Sequence, residues 1–390
     1  MVLARICTTA ITMTYPACLS TLLSAWDMSA VEAGIVQGAF TLAFAVSLLI
    51  VSPLCDRFDA RRVLLWSTAC SALAALVFAI GARSYETALI LMALVGLSQG
   101  GTYIPAILLV SAEARPERRN ASVGWILAGM SAGYVVSIFL STTLVTLHSY
   151  QAAFIATAGL AAAGYLLTYL ATRQASVTNT ASPSPSNENP GAHRRTTVLL
   201  TVGYVGHCWE LFGMWAWVPA FLATALLLDG QVSGVELGLW TALCLHGSGF
   251  FASFLSGYAA DRFGVRPVLI GFAILGLSLS LTLGWLVNAP AFVLLGAVAI
   301  YGFATIGDSA VLSAAMTEAV PAKSLGRVLG IRSILGIGGG AISPVLFGLT
   351  LDLMPGAFEW AIAFGTLAVG GAMAFFAALA LADTGTLRSR

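Results

Sequence analysis

The chain has 390 residues, 58% of them hydrophobic and only 9% charged, with a net charge of +1 and a mean hydropathy of +0.91. A soluble domain carries roughly 25% charged residues, so these charges cannot wet a globular surface of this size. The composition excludes an ordinary soluble protein and fits a bundle embedded in lipid.

Six apolar runs come first, at about 3–24, 30–54, 61–82, 86–112, 120–146 and 150–171. Six more follow, at about 197–227, 234–258, 267–288, 291–316, 326–351 and 358–381. Each is long enough to cross roughly 30 Å of hydrocarbon. Span 2 opens with the capping box Ser29-x-x-Glu32, and span 8 with Ser233-x-x-Glu236. Span 2 runs into Ser52-Pro-Leu-Cys-Asp56-Arg57-Phe58-Asp59-Ala-Arg61-Arg62, and span 8 into Gly257-Tyr-Ala-Ala-Asp261-Arg262-Phe263-Gly264-Val-Arg266. Glu113-Ala114-Arg115-Pro116 recurs as Glu318-Ala319-Val320-Pro321. Four elements thus repeat in one order, about 205 residues apart, which marks a duplicated membrane unit of the kind transporters use.

Between the repeats, Arg173 to Arg195 is rich in Ser, Thr, Asn and Pro and predicts a flexible linker. The predicted organisation is a first six-helix half (1–172), a linker (173–196) and a second six-helix half (197–390). Of the 18 Lys and Arg residues, only Arg83 falls on the side opposite the linker. The basic-residue bias therefore predicts a multi-pass protein of the cell (inner) membrane with both termini and the linker cytoplasmic. The six cysteines form no C-x-x-C, so neither a disulfide framework nor a zinc site is expected.

The paired loops resemble the Asp-Arg signature of major facilitator superfamily transporters, roughly G-x-L-x-D-R-x-G-R-R, found between helices 2 and 3 and between helices 8 and 9. The second copy matches through Gly257, Asp261, Arg262, Gly264 and Arg266. The first has Ser52 and Asp59 where the signature has glycine. Length, span count and the six-plus-six division extend the resemblance over the whole chain. It implies an all-α membrane protein of twelve transmembrane helices in two pseudo-symmetric halves, working by alternating access, with helices 1, 4, 7 and 10 lining a central cavity. Two other family signatures are absent: Gly96 stands where proton-coupled members carry an Arg before Gln99-Gly100, and the Gly124 to Gly133 run lacks proline.

The loops have a readable chemistry of their own. Asp56, flanked by Arg57 and Arg61, can accept hydrogen bonds from a helix N-terminus in the other half, where free N–H groups favour a carboxylate. The helix starting near Leu325 is its expected partner. Asp261, with Arg262 and Arg266, is expected to face the helix starting near Asn120. These residues form the predicted cytoplasmic gate.

Mid-span ionisable groups are few: His207, Glu210, His246 and Asp308. Each is costly against lipid and should face a cavity or a partner. His207 and Glu210 are three residues apart and share a face, so a hydrogen bond between them is expected. Steps of three and four along the same faces add Met214 and Trp217 on span 7 and Tyr301 on span 10. Tyr15 on span 1, and Gln99 and Tyr103 on span 4, complete the predicted cavity. His246, alone on span 8, is read as structural, and Trp215 as facing lipid.

The expected function is a proton-coupled secondary transporter in which Glu210 with His207 exchanges a proton and Asp308 assists. No basic residue is placed at the midplane, Arg5 and Arg332 being assigned nearer the surface, so a neutral or cationic solute is expected. The alternatives are an uncoupled facilitator and an organic-anion transporter using Arg332 and His207. A metal transporter drawing on His207, Cys208, Met214, Cys244 and His246, and a transporter-like sensor, rank below them. No enzyme, cofactor, bound metal or nucleic-acid partner is expected. The partners are a small solute, protons and the bilayer, around a monomer.

Overall fold

A computed structural model describes residues 1–113, 119–173, 190–227, 230 and 232–382. Among these, twelve helices are long and apolar enough to span a membrane. The first six are α1 (Val2–Ala25), α2 (Ala30–Cys55), α3 (Ala60–Gly81), α4 (Tyr85–Glu113), α5 (Gly124–Leu147) and α6 (Tyr150–Ala171). The second six are α7 (Arg194–Leu227), α8 (Gly234–Phe263), α9 (Val265–Leu286), α10 (Ala291–Ala319), α11 (Arg327–Leu353) and α12 (Glu359–Ala380). The helix leading into α7 starts at Pro190, inside the predicted linker, and residues 174–189 of that linker lie outside the described residues.

Local chemistry sets the helix starts. Ser29 and Glu32 exchange side-chain and backbone hydrogen bonds, as do Ser233 and Glu236, which satisfies two free donors at each N-terminus. The two Asp-Arg loops turn by different means. Gly264 adopts φ +91, a region that favours glycine. Asp59, in the copy that departs from the repeat, instead accepts a hydrogen bond from the Arg61 N–H at 3.0 Å and caps α3. Large apolar residues such as Trp66, Phe292 and Phe376 point outward and are exposed, the surface a bilayer covers.

The halves repeat their packing. In the first, α2 packs on α4, α3 on α6 and α1 on α6; in the second, α8 packs on α10, α9 on α12 and α7 on α12. Between halves, α2 meets α11 and α5 meets α8. The close approaches are glycine-mediated and lie on the side opposite the linker. A methyl group on Gly34 would overlap the Pro344 carbonyl, one on Gly38 would stand 2.6 Å from the Ala341 carbonyl oxygen, and one on Gly238 would stand 2.8 Å from Thr142 Cβ. On the linker side, the α2–α11 contact loosens to side-chain distance, with Leu49 Cδ2 3.9 Å from a methyl placed on Gly330. The halves are thus pressed together at the face away from the linker.

A carboxylate seals that face. Asp352, at the end of α11, accepts from the Ala30 N–H through Oδ1 at 2.9 Å and from the Val31 N–H through Oδ2 at 2.7 Å. This is the device expected of Asp56 and Asp261, an acid from one half on a helix N-terminus of the other, realised at the opposite face. The side chains of Asp56, Asn120 and Leu325 lie outside the description; Asp261 is exposed. Loss of a capping side chain costs about 0.5–2 kcal/mol. Asp352→Ala is therefore expected to raise the population open at this face by roughly 2- to 30-fold. Labelling of a cysteine placed at Thr142, half-buried against Gly238 at this face, with an impermeant maleimide reads this directly, and unchanged labelling would remove Asp352 from the latch.

Candidate functional site

Several spans lose regular helix where they meet the centre. α1 is interrupted between Thr9 and Thr14, and α4 narrows to a 3-10 turn at Gly100–Thr102. α8 and α11 each carry a π turn, at Leu243–Gly247 and Ile334–Gly338. Such turns re-aim side chains and recur at functional sites.

Two arginines are buried beside these interruptions, near the linker-side starts of their spans, Val2–Ala25 for Arg5 and Arg327–Leu353 for Arg332. Arg5 on α1 is 6% exposed and Arg332 on α11 is 4% exposed. Arg5 donates through one terminal nitrogen to the Thr102 carbonyl and hydroxyl, both at 2.9 Å, and through the other to Met130 Sδ. Its guanidinium lies 5.5 Å from the Tyr103 ring centre. Arg332 stands 3.7 Å over the Tyr204 ring and donates to the Ser313 hydroxyl at 3.3 Å. Tyr103 is within electrostatic reach of both arginines, which come one from each half. Their Nε atoms are buried without a partner, and among the described residues neither arginine forms a salt bridge. A buried cation needs an opposite charge or strong acceptors. Asp308 lies within electrostatic reach of Arg332 but is paired with His207, so the arrangement is suited to an added anion.

The predicted pairing within α7 is replaced by pairings between helices. His207 does not bond Glu210. Its Nδ1 lies 2.7 Å from Asp308 Oδ1 on α10, an electrostatic contact in which neither atom makes a well-directed hydrogen bond. The His207 ring stacks on Tyr204 at 5.7 Å, which places it beside Arg332. Glu210 instead accepts from the Ser280 hydroxyl on α9 at 2.6 Å, and Ser280 is 2.7 Å from the Tyr301 hydroxyl. Glu210 therefore braces α7 against α9 and α10. A narrow crevice between α7, α9, α10 and α12 is lined by Leu200, Gly203, Leu269, Leu312 and Asp308. A similar crevice in the first half has Arg5 in its lining.

Other predicted cavity residues are committed to packing. Trp217 donates to the Pro344 carbonyl at 3.0 Å and stacks on Phe347. Met214 accepts from the Thr305 hydroxyl. Gln99 donates to Ser71 at 2.7 Å, and Tyr15 donates to the Ala33 carbonyl at 3.2 Å. Of the aromatic and amide residues chosen from sequence, Tyr103 alone joins the arginine cluster. At the predicted gate, Arg61 donates to the Thr172 carbonyl at 2.6 Å and Arg266 to the Leu379 carbonyl at 3.0 Å. Arg57 is exposed, and the exposed Arg262 stacks on Phe263. Among the described residues, no three of His, Cys, Asp and Glu converge as metal ligands.

Trp215 does not face lipid, and His246 is not a satisfied core histidine. Tyr134 on α5, Trp215 on α7 and His246 in the π turn of α8 meet across the two halves, with ring centres 5.0 to 5.3 Å apart. His246 is 1% exposed. Both its ring nitrogens and the Trp215 indole nitrogen are buried without a hydrogen-bond partner, an arrangement that costs about 1–3 kcal/mol per group.

The family model described as Major Facilitator Superfamily matches residues 1–228. The chain is 25% identical over 347 residues to the cis,cis-muconate transport protein of Acinetobacter baylyi, covering 85% of this chain and 81% of that protein. It is 26% identical over 407 residues to the gallate transporter of Pseudomonas putida, covering 95% and 87%. A crystal structure of a bacterial homolog to the human lysosomal transporter Spinster, inward-facing and unoccupied, superposes with a TM-score of 0.76 at 14% identity, over 97% of this chain and 96% of that one.

Proposed function

We propose, because this chain belongs to the Major Facilitator Superfamily, that its cargo is a small organic carboxylate, carried across the cell membrane by alternating access. The observation that carries this reading is the pair of buried arginines, Arg5 from one half and Arg332 from the other, with unpartnered Nε atoms and no salt bridge among the described residues. It replaces the neutral or cationic solute expected from sequence by the organic-anion alternative. The muconate and gallate transporters to which the chain is similar support the same class. A guanidinium fork matches a carboxylate in geometry and charge, and tyrosines 103 and 204 offer rings beside it.

The test is calorimetry on the purified protein with benzoate, benzamide and benzylamine, which share a ring and differ in charge. Benzoate is expected to bind at least about tenfold tighter than the other two, equivalent to one net charge-assisted hydrogen bond. Selective binding of the amine would overturn the reading.

Proton coupling is assigned here to the His207–Asp308 pair and not to Glu210. The pair lies beside Arg332, and Asp308 lines a narrow crevice with Leu200, Gly203 and Leu269. In this arrangement a proton on the pair and an anion on the arginines favour each other's presence through charge. Asp308→Asn is expected to abolish accumulation against a gradient in proteoliposomes while counterflow persists. Glu210→Gln, which keeps one acceptor for Ser280, is expected to retain most accumulation. The opposite ranking of the two variants would return the proton to Glu210.

A further inference from the structure

We infer that His246, with Trp215 and Tyr134, forms a second polar subsite that receives a hydroxyl substituent on the ring of the cargo. The inference rests on the reading of the cargo as an organic carboxylate and extends it to hydroxylated aromatic acids.

The argument begins with what the three rings leave unsatisfied. A buried polar atom normally has a partner, yet here three nitrogens on two adjacent side chains have none. A phenylalanine would fill the His246 position without that penalty. The π turn at Leu243–Gly247 adds to the pattern, since it turns this residue of α8 into the interface instead of along the regular helical face. The site also straddles the halves: Tyr134 belongs to the first and the other two to the second. Any ligand held there is therefore gripped or released as the halves move.

The donor inventory sets the ligand chemistry. A neutral imidazole offers one donor and one acceptor, and indole offers one donor. Together they complement a group that both accepts and donates. A hydroxyl does both; an ionised carboxylate only accepts, and an ammonium only donates. The surrounding rings of Tyr134, Trp215 and Phe212 provide the apolar walls for an aromatic body. Tyr134 connects the two ends of the site, because it contacts His246 and lies within electrostatic reach of Arg5. The cargo's carboxylate would thus sit on the arginines, and its ring edge would reach His246.

The experiment compares benzoate with 2-, 3- and 4-hydroxybenzoate by calorimetry, in the wild-type protein and in His246→Phe. The wild type is expected to favour at least one hydroxylated acid by about five- to tenfold, the scale of one net hydrogen bond. His246→Phe keeps an aromatic ring of similar shape and is expected to erase that preference while benzoate binding stays within about threefold. Trp215→Phe provides a second variant, with a smaller loss in the same direction, in case the first fails to fold by thermal melting. A preference that survives both substitutions overturns the subsite. So does an equal loss of benzoate and hydroxybenzoate binding, which marks the rings as packing only. If wild-type protein binds benzoate and all three hydroxybenzoates equally, the subsite fails and the carboxylate reading stands. If it binds none of the four, both fail together.

Discussion

Replacing Arg332 with alanine is expected to weaken carboxylate binding by roughly 30-fold or more while the protein still folds. Arg332 is 4% exposed, has one hydrogen bond to Ser313, and otherwise rests on the Tyr204 ring. Removing one partner of a buried, hydrogen-bonded charge pair costs about 2–5 kcal/mol, and 2 kcal/mol alone is about 30-fold in affinity. The fold should survive because the guanidinium makes no salt bridge among the described residues. Asp308, which feels the Arg332 charge, keeps its contact with His207, so no buried carboxylate is left without a partner, the usual source of large destabilisation. Arg332→Lys keeps the charge but loses the planar fork, so its affinity should fall between the two. Arg5 is less clean as a probe, since it also ties α1 to α4 through Thr102, and Arg5→Ala should lower the melting temperature as well as binding. Calorimetry with benzoate on the three Arg332 forms checks the order. Equal affinity for wild type and Arg332→Ala would remove this residue from the site.

The twelve spans were legible because the bilayer imposes a length that apolar runs reveal directly, and because capping boxes and repeated loops fix their order. The site was less legible, for a geometric reason. Sequence spacing gives the face of one helix but not the nearest group on its neighbour. His207 and Glu210 do share α7, yet a spacing of three residues leaves their side chains about 60° apart around the axis. That angle is enough for one to reach Asp308 on α10 and the other Ser280 on α9. Arg332 lies near the start of its span as the sequence suggested, but its burial against Tyr204 and Ser313 depends on neighbouring helices that an apolar count does not see.

Other features left almost no trace. Asp352 reads as an ordinary acidic residue at a span end; its role depends on where the N-terminus of α2 arrives from the other half. The His246 subsite depends on a π turn whose extra residue breaks the regular period used to assign faces. The soft-ligand set that prompted a metal alternative, His207, Cys208, Met214, Cys244 and His246, is dispersed: His207 goes to Asp308, Met214 to Thr305 and His246 to the aromatic box.

Gly34→Leu is expected to abolish transport while leaving a folded protein that binds its ligand. Any Cβ at Gly34 would overlap the Pro344 carbonyl and stand 2.9 Å from Val345 Cα. Those atoms are backbone, so no rotamer change relieves the clash, and α2 and α11 cannot meet at the face opposite the linker. Overpacking a tight contact costs about 1–3 kcal/mol for a few added methylenes, and a leucine against backbone lies at or above the top of that range. Since the face still opens freely, only one of the two end states is lost, and an alternating-access cycle needs both. Gly159, with nothing within 4 Å of an added methyl, provides the control: Gly159→Leu should transport normally. In the Gly34 variant, a cysteine at Thr142, on the same closed face, should react with an impermeant maleimide several times faster than in the parent protein. Normal uptake in Gly34→Leu, or slow labelling at that cysteine, would show that the contact between α2 and α11 is not part of the transport cycle.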